Sequence, residues 1–134
     1  MKTSRSVGTS LVLLLDTQIL VWIGTGDRRL SAVARAAIID PDAELCVSAI
    51  VAYEFEDLRI RDRLGPVDAL GDMLRRLDAV VLDFPAEAYR LIPLLPKLHR
   101  EPVDRMLVAH AIHADLTLVT ADATIRQYPV RTLW

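Results

Sequence analysis

"LVLLLDTQILVW", residues 11–22, places one aspartate between two apolar segments. The first segment, residues 11–15, has the length of a strand that is buried on both faces, and the second can form a short helix. A carboxylate between two such segments loses hydration, which costs several kcal/mol unless partners compensate. The stretch therefore predicts a strand, then the functional candidate Asp16, then a helix.

The rest of the chain repeats this alternation of strand and helix. Further strand-like segments cover residues 44–47, 79–84, 116–120 and, as an edge strand, 129–134. Helical patterns separate them and cover residues 30–40, 49–62, 67–77, 86–95 and 103–114. Such alternation predicts a parallel sheet with right-handed crossovers. We expect a single-domain three-layer α/β/α sandwich with a central, mainly parallel sheet over residues 11–134, preceded by a flexible tail at residues 1–10.

The composition excludes several classes of protein. With 52% hydrophobic residues in 134, the chain is neither disordered nor fibrous. No segment reaches the roughly 18 consecutive apolar residues of a membrane helix. The single cysteine, Cys46, has no partner for an internal disulfide, so a cytoplasmic location without membrane contact is expected.

The formal net charge of −2 argues against a general electrostatic attraction to nucleic acid. Four of the 18 acidic residues, however, are assigned below to a metal site. The other 14 then stand against 16 basic residues, so the remainder of the molecule carries +2.

Polar side chains follow the ends of three predicted strands. Asp16 follows the first strand, Ser48 the second, and Thr120 and Asp122 the fourth. In open parallel sheets, ligands bind outside the carboxyl ends of the strands, and these ends lie at one edge. We therefore expect these side chains at a common rim.

Two more acids occupy inward positions on predicted helices. Glu54 lies one turn from both Ile50 and Leu58, and Asp104 shares a helix face with Leu107. Taken singly, each acid can be explained as a helix cap or as a partner of an arginine. Four acids at one rim are harder to explain, because two carboxylates about 4 Å apart repel by roughly 4 kcal/mol at an effective dielectric of about 20.

A bound cation would offset this repulsion. The four acids offer oxygen ligands only, with neither a cysteine nor a histidine pair beside them. Oxygen ligands are typical of Mg²⁺ or Mn²⁺ rather than zinc. The sequence therefore predicts a site for one or two such ions.

Histidines and arginines near the third acid have alternative interpretations. His110 and His113 are spaced i, i+3, and we expect them at surface or interface positions. His99, Arg100 and Arg105 could reach a substrate phosphate, although the two arginines could equally form salt bridges.

Four segments that contain the acids resemble the PIN-domain family, and most closely the ribonuclease toxins of bacterial VapBC toxin–antitoxin pairs. The likeness runs from about residue 11 to residue 134. In chain order the segments are "LLLDTQILVWIGTGDRRLS", "VSAIVAYE", "HREPVDRMLVAHA" and "LVTAD".

The resemblance implies a function, a cofactor and partners. It implies a ribonuclease that needs Mg²⁺ or Mn²⁺ and hydrolyses RNA phosphodiester bonds, a VapB-like antitoxin that inhibits it, and a homodimer. The resemblance implies catalytic and metal-binding roles for the four acids at the matching positions, namely Asp16, Glu54, Asp104 and Asp122. Contacts to substrate are expected from Thr120, Ser48, Arg100 and Arg105.

The chain departs from the family pattern at three positions. Glu101 stands where close relatives often carry aspartate, His110 where glutamine is frequent, and Gln18 where histidine or asparagine is common. The four acids are unaffected. The departures concern the substrate rim and any accessory metal contact from position 101.

Two other functions remain as alternatives. The first is a catalytically silent PIN-like module that only binds RNA or protein. The second is a receiver-like phosphoacceptor, which also gathers acids around Mg²⁺ at strand ends. Against the receiver, no strand-ending lysine occurs near the acids, and Glu54 projects from the middle of a helix.

Overall fold

Five strands and the helices between them make up the computed structural model, which describes residues 11–98 and 101–134. The strands are β1 Leu11–Leu15, β2 Ala43–Ser48, β3 Val80–Leu82, β4 Thr117–Val119 and β5 Thr132–Leu133. The α-helices are α1 Thr17–Thr25, α2 Ala32–Ile39, α3 Ala49–Ile60, α4 Leu70–Leu77 and α5 Pro102–His113. Two 3-10 helices cover Ala86–Leu94 and Ile125–Gln127. The expected tail at residues 1–10 lies outside the described residues.

The sheet is parallel throughout, with strand order β3-β2-β1-β4-β5. In the central strand, Leu13, Leu14 and Leu15 are all 0% exposed. Because successive strand residues point to opposite faces, this burial means that both faces of the sheet are covered. The expected three-layer α/β/α sandwich is confirmed.

The strand order brings the carboxyl ends of β1 and β4 together. Leu15 of β1 pairs in register with Val119 of β4. Just beyond, the Asp16 amide donates to the Val119 carbonyl over 3.3 Å. The residues that follow these two strands, Asp16 and Thr120, are therefore neighbours at one edge of the sheet.

Two predicted helices differ from the structure. The helix expected at residues 67–77 begins only at Leu70. The helix expected at residues 86–95 forms as a 3-10 helix that contains Pro93. Proline has no amide hydrogen, so it cannot support the α-helical hydrogen-bond pattern at that position. Across the described ranges, no helix has the length and apolar character needed to cross a membrane.

Candidate functional site

A cavity of about 400 Å³ lies beyond the carboxyl ends of β1 and β4. All four predicted acids line it, although they come from separate parts of the chain. Asp16 and Asp122 follow strands, Glu54 lies on α3, and Asp104 lies in the first turn of α5. The other described lining residues are all uncharged, namely Thr17, Gln18, Val21, Leu58, Leu64, Val103, Leu107, Ala121 and Ile125.

Asp16 is the most buried of the four acids, with 8% of its surface exposed. It is the N-cap residue of α1, and its Oδ1 accepts a hydrogen bond from the Ile19 amide at 2.9 Å. The Thr120 side chain forms a second hydrogen bond with the carboxylate. Part of the reason for an aspartate here is therefore local, because helix N-termini favour such a cap.

These hydrogen bonds do not fully compensate for burial. Desolvation raises the pKa of Asp16 from its ordinary value of 3.8 to about 6, against the lowering effect of the Thr120 and Ile19 hydrogen bonds. The negative charges of Asp104 and Asp122 raise this pKa further. The carboxylate form of Asp16 is thus disfavoured, and a nearby cation would stabilise it.

Glu54 and Asp122 are held in place by neighbouring groups. Glu54 Oε1 accepts a hydrogen bond from the Thr17 hydroxyl over 2.5 Å, which joins α3 to the start of α1. Asp122 Oδ1 accepts from the amides of Thr124 at 2.8 Å and Ile125 at 3.2 Å. Asp122 therefore caps the turn that follows β4, as its sequence suggested.

The donor chemistry fits a divalent cation, but the acids are not gathered into a closed cage. Among the residues that the structure describes, no three His, Cys, Asp or Glu side chains lie close enough together to surround an ion. To surround an ion, the side chains of Glu54, Asp104 and Asp122 would have to move toward Asp16, and Glu54 and Asp122 would give up or share the hydrogen bonds described above. Oxygen ligands of this kind suit Mg²⁺ or Mn²⁺.

Of the residues expected to contact substrate, Thr120 lies beside the acids, whereas Ser48 does not line the cavity. Thr120 is buried beside Asp16, and its hydroxyl accepts from the Asp122 amide at 3.1 Å, so it supports two of the acids. Ser48 is fully buried and does not line the cavity; its hydroxyl caps α3 at the Ile50 amide over 3.3 Å.

Arg105 is also engaged elsewhere. Its guanidinium donates to the backbone carbonyls of Pro96 at 2.7 Å and Ile92 at 2.9 Å, which fastens α5 to the end of the 3-10 helix. It is not among the cavity residues. The expectation that Ser48 and Arg105 face a substrate phosphate is therefore corrected, because both side chains serve internal hydrogen bonds. His99 and Arg100 lie outside the described residues.

The surface position expected for His110 is wrong. His110 is 1% exposed, and its Nδ1 lies 2.8 Å from the Ser48 hydroxyl oxygen. Its ring meets the Phe84 ring edge-on, with centroids 5.6 Å apart. Desolvation, with a smaller effect from His113, lowers the pKa of His110. The sequence offered one signal of burial, since the apolar Met106 and Leu107 lie one turn before His110 on the same helix face.

Comparison with known proteins places this geometry in context. The profile of the PIN domain matches residues 13–130. Ribonuclease VapC22 of Mycobacterium tuberculosis is 31% identical over 129 residues, which cover 91% of this chain and 98% of that protein.

Solved structures are similar in fold. VapBC2 from Rickettsia felis, bound to a DNA fragment from its promoter, matches with a TM-score of 0.65 and 18% identity, over 91% of this chain and 97% of that one. PAE2754 from Pyrobaculum aerophilum matches with a TM-score of 0.53 and 21% identity, over 87% and 84%. VapBC-1 from nontypeable Haemophilus influenzae gives 0.52 and 20%, over 87% and 91%.

Proposed function

Because the chain belongs to the PIN domain family, and within it to the VapC-type proteins, we propose that it is a metal-dependent ribonuclease and the toxin of a toxin–antitoxin pair. The observation that carries the proposal is the shared cavity of the four acids, with Asp16 buried in it at a raised pKa. Four like-charged side chains in one cavity repel each other and so do not stabilise the fold through their mutual contacts. They are suited to holding cations.

Mg²⁺ or Mn²⁺ would be held chiefly by Asp16 and Asp104, with Glu54 and Asp122 completing the ligand set or orienting water. Such an ion would lower the pKa of a bound water and would stabilise negative charge on the phosphodiester. The protein's part is to fix the acids. The Ile19 amide and Thr120 hold Asp16, as described above.

The remaining cavity wall supports an RNA ligand. Val21, Leu58 and Leu64 contribute aliphatic side chains to it. Such a surface can pack against a ribose or a base and displace water from the reacting phosphate. Gln18, exposed on the first turn of α1, adds a neutral hydrogen-bonding group at the cavity.

Metal dependence gives the direct test. Purified protein is incubated with structured RNA in Mg²⁺ or Mn²⁺, and the products are separated on a gel. We expect cleavage that excess EDTA stops and that added Mn²⁺ restores. Cleavage that persists in excess EDTA would contradict the mechanism, and RNA binding without any cleavage would favour the catalytically silent alternative.

A VapB-like antitoxin is the partner that we propose for this chain, because two of the structurally similar proteins are named as VapBC structures. An inhibitor of such a site would place a basic side chain among the four acids. Co-expression with the product of an adjacent small gene, followed by the RNA cleavage assay, tests this partner. The receiver-like alternative finds no support in the family to which the chain belongs.

A further inference from the structure

The acidic cavity has no basic side chain among its described lining residues. An RNA strand that approaches four carboxylates is repelled unless cations also hold its neighbouring phosphates. The inference below identifies residues that bind those phosphates, and it rests on the proposed ribonuclease function. The expected candidate Arg105 is unsuited, because backbone carbonyls occupy its guanidinium.

Most described arginines are already neutralised by a carboxylate. Ion pairs join arginines to nearby acids at seven places: Arg29–Asp27, Arg59–Glu56, Arg61–Asp57, Arg75–Asp72, Arg76–Asp68, Arg90–Glu87 and Arg131–Asp115. Within residues 11–98 and 101–134, the cations without such a carboxylate or carbonyl partner are Arg28, Arg35, Arg63, Lys97 and Arg126.

Two of these unpaired cations adjoin the acidic cavity. Arg63 precedes Leu64, which lines the cavity, and its amide donates to the carbonyl of Leu58, a second lining residue, over 2.9 Å. Its side chain is exposed. Arg63 is thereby anchored on the α3 side of the cavity with its charge available to solvent.

Arg126 adjoins the same cavity from a separate part of the chain. Its amide donates to the Asp122 carbonyl over 3.2 Å, and it follows Ile125, another lining residue. Its side chain is also exposed. Two unpaired arginines therefore adjoin the acidic cavity on separate elements, Arg63 after α3 and Arg126 in the 3-10 helix after β4.

We propose that Arg63 and Arg126, which adjoin the acidic cavity on separate elements, bind the phosphates that flank the scissile bond. The guanidinium fork forms two parallel hydrogen bonds with phosphate oxygens, and each contact holds the strand without reading its sequence. The strand is thus held across the four acids, which places one phosphate over the site that the ions would occupy.

RNA binding is measured separately from cleavage. All variants carry Asp16→Asn, so that the RNA stays intact, and a labelled single-stranded RNA is titrated by fluorescence anisotropy in Mg²⁺ at several KCl concentrations. Arg63→Gln and Arg126→Gln are each expected to weaken binding about tenfold. The slope of log K against log[KCl] should fall by about 0.7 for each arginine removed.

Arg35→Gln is the matched control, because Arg35 is an exposed, unpaired arginine that lines a different cavity, next to Trp22 and Leu30. It should leave affinity and slope unchanged. Arg63→Lys and Arg126→Lys keep the charge and should restore much of both. In the cleaving protein, the glutamine variants should raise KM far more than they lower kcat.

The outcomes separate this inference from the proposed function. If the unaltered protein cleaves RNA but Arg63→Gln and Arg126→Gln bind it as tightly as Arg35→Gln does, the two arginines are not phosphate contacts and this inference is overturned alone. If the unaltered protein neither cleaves nor binds RNA, the proposed function is overturned as well. Circular dichroism melting checks that the variants fold.

Discussion

Asp16 caps α1 and also lines the acidic cavity. The cap and the proposed metal site require different properties of its side chain. The cap of α1 needs only an oxygen that accepts from the Ile19 amide. The proposed metal site needs a full negative charge. Asparagine satisfies the first demand and fails the second, so substitutions at this residue can separate the two.

Asp16→Asn should abolish RNA cleavage while leaving the metal-free protein as stable as the unaltered protein, or more stable. Asparagine keeps the cap, and it removes a charge that burial and two acids disfavour. Urea unfolding in EDTA at pH 7 gives the free energy of unfolding. Asp16→Ala, which loses the cap, should be about 1 kcal/mol less stable than Asp16→Asn. An asparagine variant that unfolds more easily than the unaltered protein would make Asp16 purely structural.

The stability of the metal-free protein should depend on pH through Asp16. Its pKa is about 6 in the folded state against an ordinary 3.8, so the folded state binds more protons between these values. Stability therefore falls as pH rises from about 4 to about 7, by about 3 kcal/mol from this group.

The buried His110 acts in the opposite direction, because its lowered pKa favours folding as pH rises. The comparison is therefore between the unaltered protein and Asp16→Asn, which share His110. Urea unfolding in EDTA from pH 4 to pH 8 should show the fall only in the unaltered protein. Equal pH dependence in both would show that Asp16 titrates normally.

Among the elements, the link between β2, α3 and α5 was missed by sequence reasoning. Ser48 ends β2, caps α3 and contacts His110 of α5 at 2.8 Å. This connection joins the helix that carries Glu54 to the helix that carries Asp104. Its partners are 62 residues apart in the chain, so no local pattern could predict it.

His110→Ala should destabilise the protein by about 3 kcal/mol, because it removes a buried ring and leaves the Ser48 hydroxyl with fewer partners. His110→Gln should lose less, since the amide can still reach that hydroxyl. Urea unfolding at pH 7 measures both. If glutamine is as damaging as alanine, the hydrogen bond to Ser48 contributes nothing and packing alone accounts for the effect.

Elements were easier to predict than contacts. The central strand and α1 followed from apolar periodicity around Asp16, and parallel pairing placed the strand ends at one edge. The start of α4 and the 3-10 geometry around Pro93 depended on local hydrogen bonds that the apolar pattern does not encode. Arg105 was misjudged because the carbonyls that it binds come from another element.

At the scale of the whole molecule, we propose that exposed apolar side chains on α3 form the interface of the homodimer that the family resemblance implies. Tyr53 is 66% exposed and Ile60 is 70% exposed. We expect the unaltered protein to sediment as a dimer at micromolar concentration. Ile60→Asp should convert it to a monomer, whereas Val33→Asp on α2 should not, and analytical ultracentrifugation distinguishes them. A monomeric unaltered protein would contradict the dimer.

The charge distribution of the whole molecule also depends on the cavity. A chain with net charge −2 that concentrates four acids in one place leaves its remaining surface slightly basic. Cations that neutralise the cavity would therefore favour both the folded state and the approach of RNA. Metal binding, stability and substrate binding would in this way be coupled.

The effect of Mn²⁺ on unfolding tests whether Asp16 belongs to a metal site. The free energy of unfolding is measured at pH 7 as Mn²⁺ is raised from zero to millimolar concentration, for the unaltered protein, Asp16→Asn, and Asp42→Asn. Asp42 is an exposed acid at the amino end of β2, away from the cavity. We expect Mn²⁺ to stabilise the unaltered protein and Asp42→Asn but to have little effect on Asp16→Asn. An equal response in all three, or none in any, would contradict a metal site built on Asp16.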